Sequence, residues 1–241
     1  MDKLIIGDKL KLFQELINYQ FQNPEILLEA LTTPQYGNEN NLGHYEILET
    51  LGDAVIKLIF SLKIYNSGEI DPGKLTKTKL CLEDNQTFLK VATEMKLWKY
   101  IVSSKKQEVR GTLILADIIE SICGAIYIDS GNNLEIVEQK IINTYFYDWD
   151  ALIKESSNLY KNELLEYLQD IFKITPTIKF KYEKSGFEHD PTWIAKNPMI
   201  IDKKQNRILN LPDNLRSEKF RNKKDAEKDL SLKVLKYLQS K

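Results

Sequence analysis

Cysteine and histidine are scarce in this sequence, and long apolar runs are missing. The 241 residues include two cysteines, Cys81 and Cys123, and two histidines. Both cysteines lie in apolar, helically spaced stretches, so we expect two core residues and neither a disulfide framework nor a cysteine-based zinc site. No apolar run approaches the ~20 residues that span a bilayer, so we expect no membrane association. The segment Met1–Lys11 lacks the pattern of a secretory signal, which predicts a cytoplasmic protein.

The formal net charge of −1 hides an uneven distribution along the chain. Residues 1–156 contain 16 Lys and Arg against 23 Asp and Glu, a net −7, whereas residues 157–241 contain 18 against 12, a net +6. An acidic front half suits cation binding, and a basic back half suits a polyanion. The asymmetry alone does not decide the function, because it also arises by chance.

Helical periodicity dominates the front half of the chain. Apolar residues recur mostly at helical spacing from Lys9 to Lys154, which predicts an all-helical domain. Turn signals at residues 37–41, 66–73 and 103–111 separate helices joined by short loops, as in a compact bundle. The polar stretch at residues 154–158 predicts a linker, residues 151–158, between a first domain, residues 1–150, and a second, residues 159–241.

The back half of the chain combines helical segments with strand segments. Its composition predicts helices at residues 162–172 and 223–238, and between them strands at residues 177–184, 192–202 and about 206–211. The predicted fold class is therefore an all-helical domain followed by a small α-β-β-β-α domain.

One acidic stripe lies in the segment from His44 to Val55. On a helix, Glu46, Glu49 and Asp53 fall within roughly 60° of one another, and leucines occupy the opposite side. On this segment alone, the commoner explanation is the solvated face of an amphipathic helix.

A second segment, LILADIIESICGAIYI at residues 113–128, changes that balance. Its helix is apolar nearly all round and should be buried, but it carries Asp117 and Glu120 on one narrow strip. Buried carboxylates without a positive partner are costly, and no basic residue occurs between Arg110 and Lys140. A basic partner from elsewhere in the fold is one solution. A hard, oxygen-liganded cation such as Mg²⁺ or Mn²⁺ is the simpler one.

If the two acidic stripes face each other, with Gly52 and Gly124 allowing close approach, they form a cleft of five carboxylates. The segment EILETLGDAV then resembles the signature of the ribonuclease III family, and ILADIIESICGAIYIDSG resembles the second acidic motif of that family. Weaker matches at residues 21–31 and 73–85, and in the C-terminal half, extend the resemblance over most of the chain.

The resemblance implies an endonuclease that cuts double-stranded RNA and leaves 5′ phosphates, 3′ hydroxyls and short 3′ overhangs. It implies Mg²⁺ as cofactor, with Mn²⁺ able to replace it, and a homodimer formed through the N-terminal domain. Carried over by position, the catalytic and metal-binding residues are Glu46, Asp53, Asp117 and Glu120, with Glu120 as the central ligand. Glu49 borders the site as a weaker ligand.

The C-terminal half resembles a double-stranded-RNA-binding domain. That resemblance implies RNA contacts from Glu166 on the first helix, from His189 in the first hairpin, and from Lys223 and Lys224 at the start of the last helix. It also implies that the aromatic residue Trp193 enters the core. Taken singly, an exposed lysine pair or a lone histidine is usually ordinary surface.

Several positions depart from the family pattern. Thr50 replaces an aromatic residue that enters the dimer partner, and Pro72 and Thr33 replace an acid and a histidine near the metal site. In the tail, Leu165, Glu218 and Phe220 replace a polar residue and two glycines. These departures leave open a catalytically silent RNA-binding scaffold. A second alternative, an unrelated helical metalloprotein with a basic tail, requires both motif sets to be coincidences.

Overall fold

The structure, a computed structural model, describes residues 3–69, 71–156, 159–187, 190–202, 206–220 and 222–240. Its contacts divide the chain into two compact units, Met1–Ile153 and Lys154–Lys241. The division falls within the predicted linker, residues 151–158. Part of that segment is helical, because a helix runs to Glu155. The functional domain boundaries themselves stay a prediction.

The first unit is mostly helical, which confirms the prediction for the front half. Its short segments include a 3₁₀ turn at Leu97–Lys99 and a π-helical turn at Glu138–Ile142. The α-helices are α1 (Lys3–Ile17), α2 (Pro24–Leu31), α3 (Pro34–Asn40), α4 (Glu46–Asn66), α5 (Pro72–Leu82), α6 (Asn85–Glu94), α7 (Ile114–Asp129), α8 (Leu134–Val137), α9 (Asn143–Tyr145) and α10 (Trp149–Glu155).

Short polar residues begin several of these helices. The side chains of Asn23, Asp71 and Asp84 each accept a hydrogen bond from a backbone N–H in the first turn of α2, α5 and α6. The predicted turn at residues 37–41 is wrong, because α3 continues to Asn40. Pro34 sets the helical geometry of the first turn of α3. Within residues 37–41, only Asn41 adopts a left-handed conformation, with φ of 55°.

Helix α7 lies at the centre of the first unit. Its Leu115, Ile118 and Ile122 are fully buried, and α2, α4, α6 and α8 pack against it. Cys81 and Cys123 are also fully buried free thiols, as predicted. Within the described part of the chain, no helix is both long enough and apolar enough to cross a membrane.

Two glycines set the distance between α4 and α7. A Cβ atom added at Gly52 would overlap the backbone carbonyl of Glu120, and one added at Gly124 would overlap the carbonyl of Leu48. The two helices therefore touch backbone to backbone, which a side chain at either position would prevent. This contact places the acidic faces of both helices at the same cleft.

The second unit has a helix, three strands and a helix in order: α11 (Leu159–Phe172), β1 (Thr177–Phe187), β2 (Asp190–Ile201), β3 (Arg207–Leu209) and α12 (Lys223–Gln239). The strands form one antiparallel sheet in the order β1-β2-β3. Both helices contribute to a separate core, in which Leu164 and Leu168 of α11 pack with Leu230 and Val234 of α12.

The substitution Gly52→Ala tests the close contact of α4 and α7. We expect it to lower the free energy of unfolding of the first unit by about 3 kcal/mol, because the added methyl group overlaps rigid backbone. Urea unfolding followed by helical circular dichroism measures the change. Gly7→Ala is the matched control: its Cβ meets nothing within 4 Å inside α1, so it should stabilise by roughly 0.5–1 kcal/mol. Equal effects at the two positions would contradict the account of the contact.

Candidate metal centre

Three carboxylates meet where α4 and α7 touch. Glu49 comes from α4, and Asp117 and Glu120 come from α7. One carboxylate oxygen from each lies within 4.8 Å of the other two. All three side chains are half-buried. We call this set the carboxylate trio; its spacing is suited to three oxygen ligands around one small cation.

Burial and mutual repulsion disfavour the ionised forms of the trio. The pKa of Glu120 is raised from 4.5 to about 8, first by burial and then by the charges of Asp53, Glu49 and Asp117. The pKa values of Glu49 and Asp117 are also raised, chiefly by burial. Three acids in one half-buried cleft therefore favour either proton uptake or a bound cation.

Tyr45 fixes one member of the trio. It is buried just before α4, and its hydroxyl donates a hydrogen bond to Oδ2 of Asp117 at 3.3 Å. Burial and the nearby carboxylate charge both raise the pKa of the tyrosine, which keeps its hydroxyl protonated. Tyr45 thus acts as a donor that orients Asp117 toward the cleft.

The two glutamates of α4 lie differently with respect to the α7 acids, and which of them ligates a cation stays a prediction. Glu49, expected as the weaker ligand, lies in the trio, whereas Glu46, expected as a main ligand, does not. The Glu46 side chain is 59% exposed, and its Oε2 lies 3.6 Å from Nδ1 of His44. The reason is geometric: Glu46 is the first residue of α4, whereas Glu49 lies between Leu48 and Gly52, the two positions of α4 whose backbone touches α7.

Asp53 lies near the trio but outside it. Its Oδ2 accepts a hydrogen bond from Nζ of Lys57 at 2.7 Å, one helical turn further along α4. Its charge nevertheless raises the pKa of both Glu49 and Glu120, so the carboxylate is close to both.

Lys57 and Glu83 are site neighbours that the sequence analysis did not identify. Lys57 could have been found from its i,i+4 spacing to Asp53. Glu83 follows the end of α5, and only the tertiary fold brings it near Lys57 and Asp53, whose charges both affect its pKa. Burial is the main cause that raises the pKa of Glu83.

The predicted RNA-binding residues lie in the second unit. Glu166 is exposed on α11, beside Glu163 and Asp170 on a shallow surface groove, and Lys223 and Lys224 are exposed in the first turn of α12. His189 lies outside the residues that the structure describes.

Two aromatic rings hold the side chain of Lys223. Its Nζ lies 4.5 Å from the ring centre of Trp193 and 5.2 Å from that of Tyr182. The expectation that Trp193 enters the core is wrong, because the ring is only partly buried and lies under this ammonium group. The first turn of α12 therefore presents a positioned cation.

Known proteins resemble this chain in sequence. The family model described as ribonuclease-III-like matches residues 23–146, which include the whole carboxylate trio. The chain is 35% identical to Ribonuclease 3 of Limosilactobacillus fermentum over 72% of this chain and 77% of the relative. It is 29% identical to Ribonuclease 3 of Nitratiruptor sp. over 96% of this chain and 98% of the relative. A solved nuclease domain of ribonuclease III from Campylobacter jejuni aligns with 28% identity and a TM-score of 0.47, covering 55% of this chain and 96% of that one.

The raised pKa of Glu120 predicts how stability depends on pH in chelator. Between the usual value of 4.5 and about 8, the folded chain keeps a proton that the unfolded chain has released. Stability is therefore greatest below this window and falls as the pH rises through it. The melting temperature, measured from about pH 5 to about pH 8, should fall less in Glu120→Gln. The exposed Glu46→Gln is the matched control and should keep the wild-type slope. Identical slopes in all three proteins would contradict the burial effect.

Proposed function

The chain belongs to the ribonuclease III family, and on that basis we propose that it is a metal-dependent endonuclease that hydrolyses double-stranded RNA. The observation that carries the proposal is the carboxylate trio, because it joins residues from both acidic motifs at one point. Three carboxylates at this spacing can bind a cation, and that cation can contact a phosphodiester.

The donor set fits Mg²⁺, with Mn²⁺ able to replace it. The oxygens of Glu49, Asp117 and Glu120 are hard ligands, and the described residues place no histidine or cysteine ligand in the group. Half-buried acids with raised pKa values gain most from a divalent ion, since it offsets their mutual repulsion.

A bound divalent ion lowers the pKa of a water ligand and neutralises negative charge that develops on the phosphate. The chain's own contribution is to position the ligands. Glu120 and Asp117, one turn apart on α7, and Glu49 of α4 would hold the ion. The hydrogen bond from Tyr45 fixes the rotamer of Asp117. We also assign Asp53 to the loaded site and Glu46 to its edge.

The second unit is, in this proposal, a double-stranded-RNA-binding domain. Its helix, three-stranded antiparallel sheet and helix suit that assignment, and Lys223 and Lys224 supply charge at the N-terminus of α12. The helix dipole adds to that charge, so the position favours phosphate. Glu166 and His189 remain proposed contacts to the 2′-hydroxyl side of the duplex, in its minor groove.

We further propose a homodimer through the first unit. An apolar stripe runs along α4, where Ile47, Leu58, Leu62 and Tyr65 are all exposed. Thr50 lies on the same helix, and its hydroxyl donates to the carbonyl of Glu46 instead of providing a large ring. Ile47, which is 75% exposed, supplies the bulk nearest to that position. Two copies of the cleft would each cut one strand.

The products expected from this arrangement carry 5′ phosphates and 3′ hydroxyls with short 3′ overhangs. A silent scaffold is the alternative, and it predicts a bound duplex without products. The intact trio favours the enzyme, since a scaffold has no need for three carboxylates that repel one another. A cytoplasmic location stays a prediction from the sequence.

Substitutions of single carboxylates test which acids act. We expect Glu49→Gln and Glu120→Gln each to lower the rate of duplex cleavage by about a hundredfold or more, because loss of an outer-shell partner already costs ~10–100-fold at metal sites. Glu46→Gln, the same change on the same helix, should stay within about tenfold of wild type. Rates with excess Mg²⁺ on a labelled duplex provide the measurement. Full activity in Glu120→Gln, or a larger loss in Glu46→Gln than in Glu49→Gln, would contradict the site.

Substitution of the paired lysines tests the RNA-binding surface. The double variant Lys223→Ala/Lys224→Ala should bind duplex RNA more weakly and lower the slope of log affinity against log salt by about two, since each lost phosphate contact removes about 0.9. Fluorescence anisotropy with Ca²⁺ in place of Mg²⁺ measures binding apart from cleavage. Lys173→Ala, at an exposed lysine paired with Asp170, is the control and should leave the slope unchanged. An unchanged slope in the double variant would exclude these lysines as phosphate contacts.

A further inference from the structure

Lys57 lies in the cleft, although the proposed hydrolysis assigns it no role. It lies one turn beyond Asp53 on α4, and its Nζ donates to Oδ2 of Asp53 at 2.7 Å. The charges of Glu83 and Glu120 also raise the pKa of Lys57, so its ammonium group is close to both of these acids. A permanent cation thus lies at the edge of a cleft suited to a divalent one.

The ion pair occupies an oxygen that a metal would use. Asp53 shares the acidic face of α4 with Glu49 and is close enough to affect Glu120, but it lies outside the carboxylate trio. An oxygen that accepts an ammonium group at 2.7 Å is not free to ligate a second cation along the same direction. Lys57 and a divalent ion therefore compete for Asp53.

Glu83 offers the ammonium group another partner. Its side chain is only 12% exposed, and among the described residues its buried Oε1 accepts no hydrogen bond. Nζ of Lys79 lies 3.6 Å from that oxygen, which is an ion pair beyond hydrogen-bond distance. A buried carboxylate oxygen without a hydrogen bond is stabilised by any donor that reaches it.

We infer that Lys57 is a positioning residue that holds Asp53 away from the carboxylate trio and transfers to Glu83 when a divalent cation enters. This inference rests on the proposed function, because it assumes that the trio binds the cation. Lys57 therefore has two arrangements. It pairs with Asp53 when the cleft has no metal, and it pairs with Glu83 when Asp53 ligates the metal. Asp53 thereby becomes a ligand only in the loaded site.

The test is the affinity of the full chain for Mn²⁺, measured without RNA by electron paramagnetic resonance of the free ion. Lys57→Met should bind Mn²⁺ roughly fivefold more tightly than wild type, the factor expected when a partly exposed ion pair no longer competes. Lys57→Arg keeps the charge and should stay near wild type. Lys63→Met is the matched control: it removes a lysine from the same helix, but this lysine pairs with Glu138, and the affinity should hold.

The background variant Asp53→Asn separates competition from a general charge effect. In that background Lys57→Met should change the affinity little, because the ion pair is already lost. A tighter site in both backgrounds would overturn the inference, as would equal affinities of Lys57→Met and wild type. Wild-type chain that binds no Mn²⁺, or binds it equally well after Glu120→Gln, would instead overturn the proposed function on which the inference rests.

Discussion

The backbone contact between α4 and α7 at Gly52 and Gly124 is the constraint on which the site depends. Neither position has room for a Cβ atom. Because the helices are this close, Glu49 on one and Asp117 and Glu120 on the other converge within 4.8 Å. Any side chain at the contact would separate the helices and move the acids apart. The same contact also keeps α7 central in the core, so the fold and the site share one requirement.

Electrostatics oppose this arrangement, and packing maintains it. Burial raises the pKa values of all three acids, and their like charges add to the effect for Glu49 and Glu120. The apolar contacts of α7, with Leu115, Ile118 and Ile122 fully buried, hold the acids together despite that cost. The repulsion among the three acids favours cation binding, and a bound cation is what the chemistry of a ribonuclease III requires.

Helical periodicity predicted most of the fold, and the two acidic motifs contain the three acids that the structure brings together. Which of Glu46 and Glu49 lies beside the α7 acids could not be predicted, because both lie on the acidic stripe and only the point of helix contact distinguishes them. Lys57 has a local signal, its spacing to Asp53, whereas Glu83 is brought near by tertiary packing alone. The resemblance to a double-stranded-RNA-binding domain implied that Trp193 enters the core, but Nζ of Lys223 lies over its ring instead.

Soaking a crystal of the full chain in Mn²⁺ would show whether the carboxylate trio binds a divalent cation, because anomalous scattering locates the ion itself. We expect a strong anomalous peak bonded to oxygens of Glu49, Asp117 and Glu120, with the Glu46 carboxylate outside the ligand distance of ~2.0–2.6 Å. A cleft without a peak at saturating Mn²⁺, or a peak held by Glu46 in place of Glu49, would contradict this expectation.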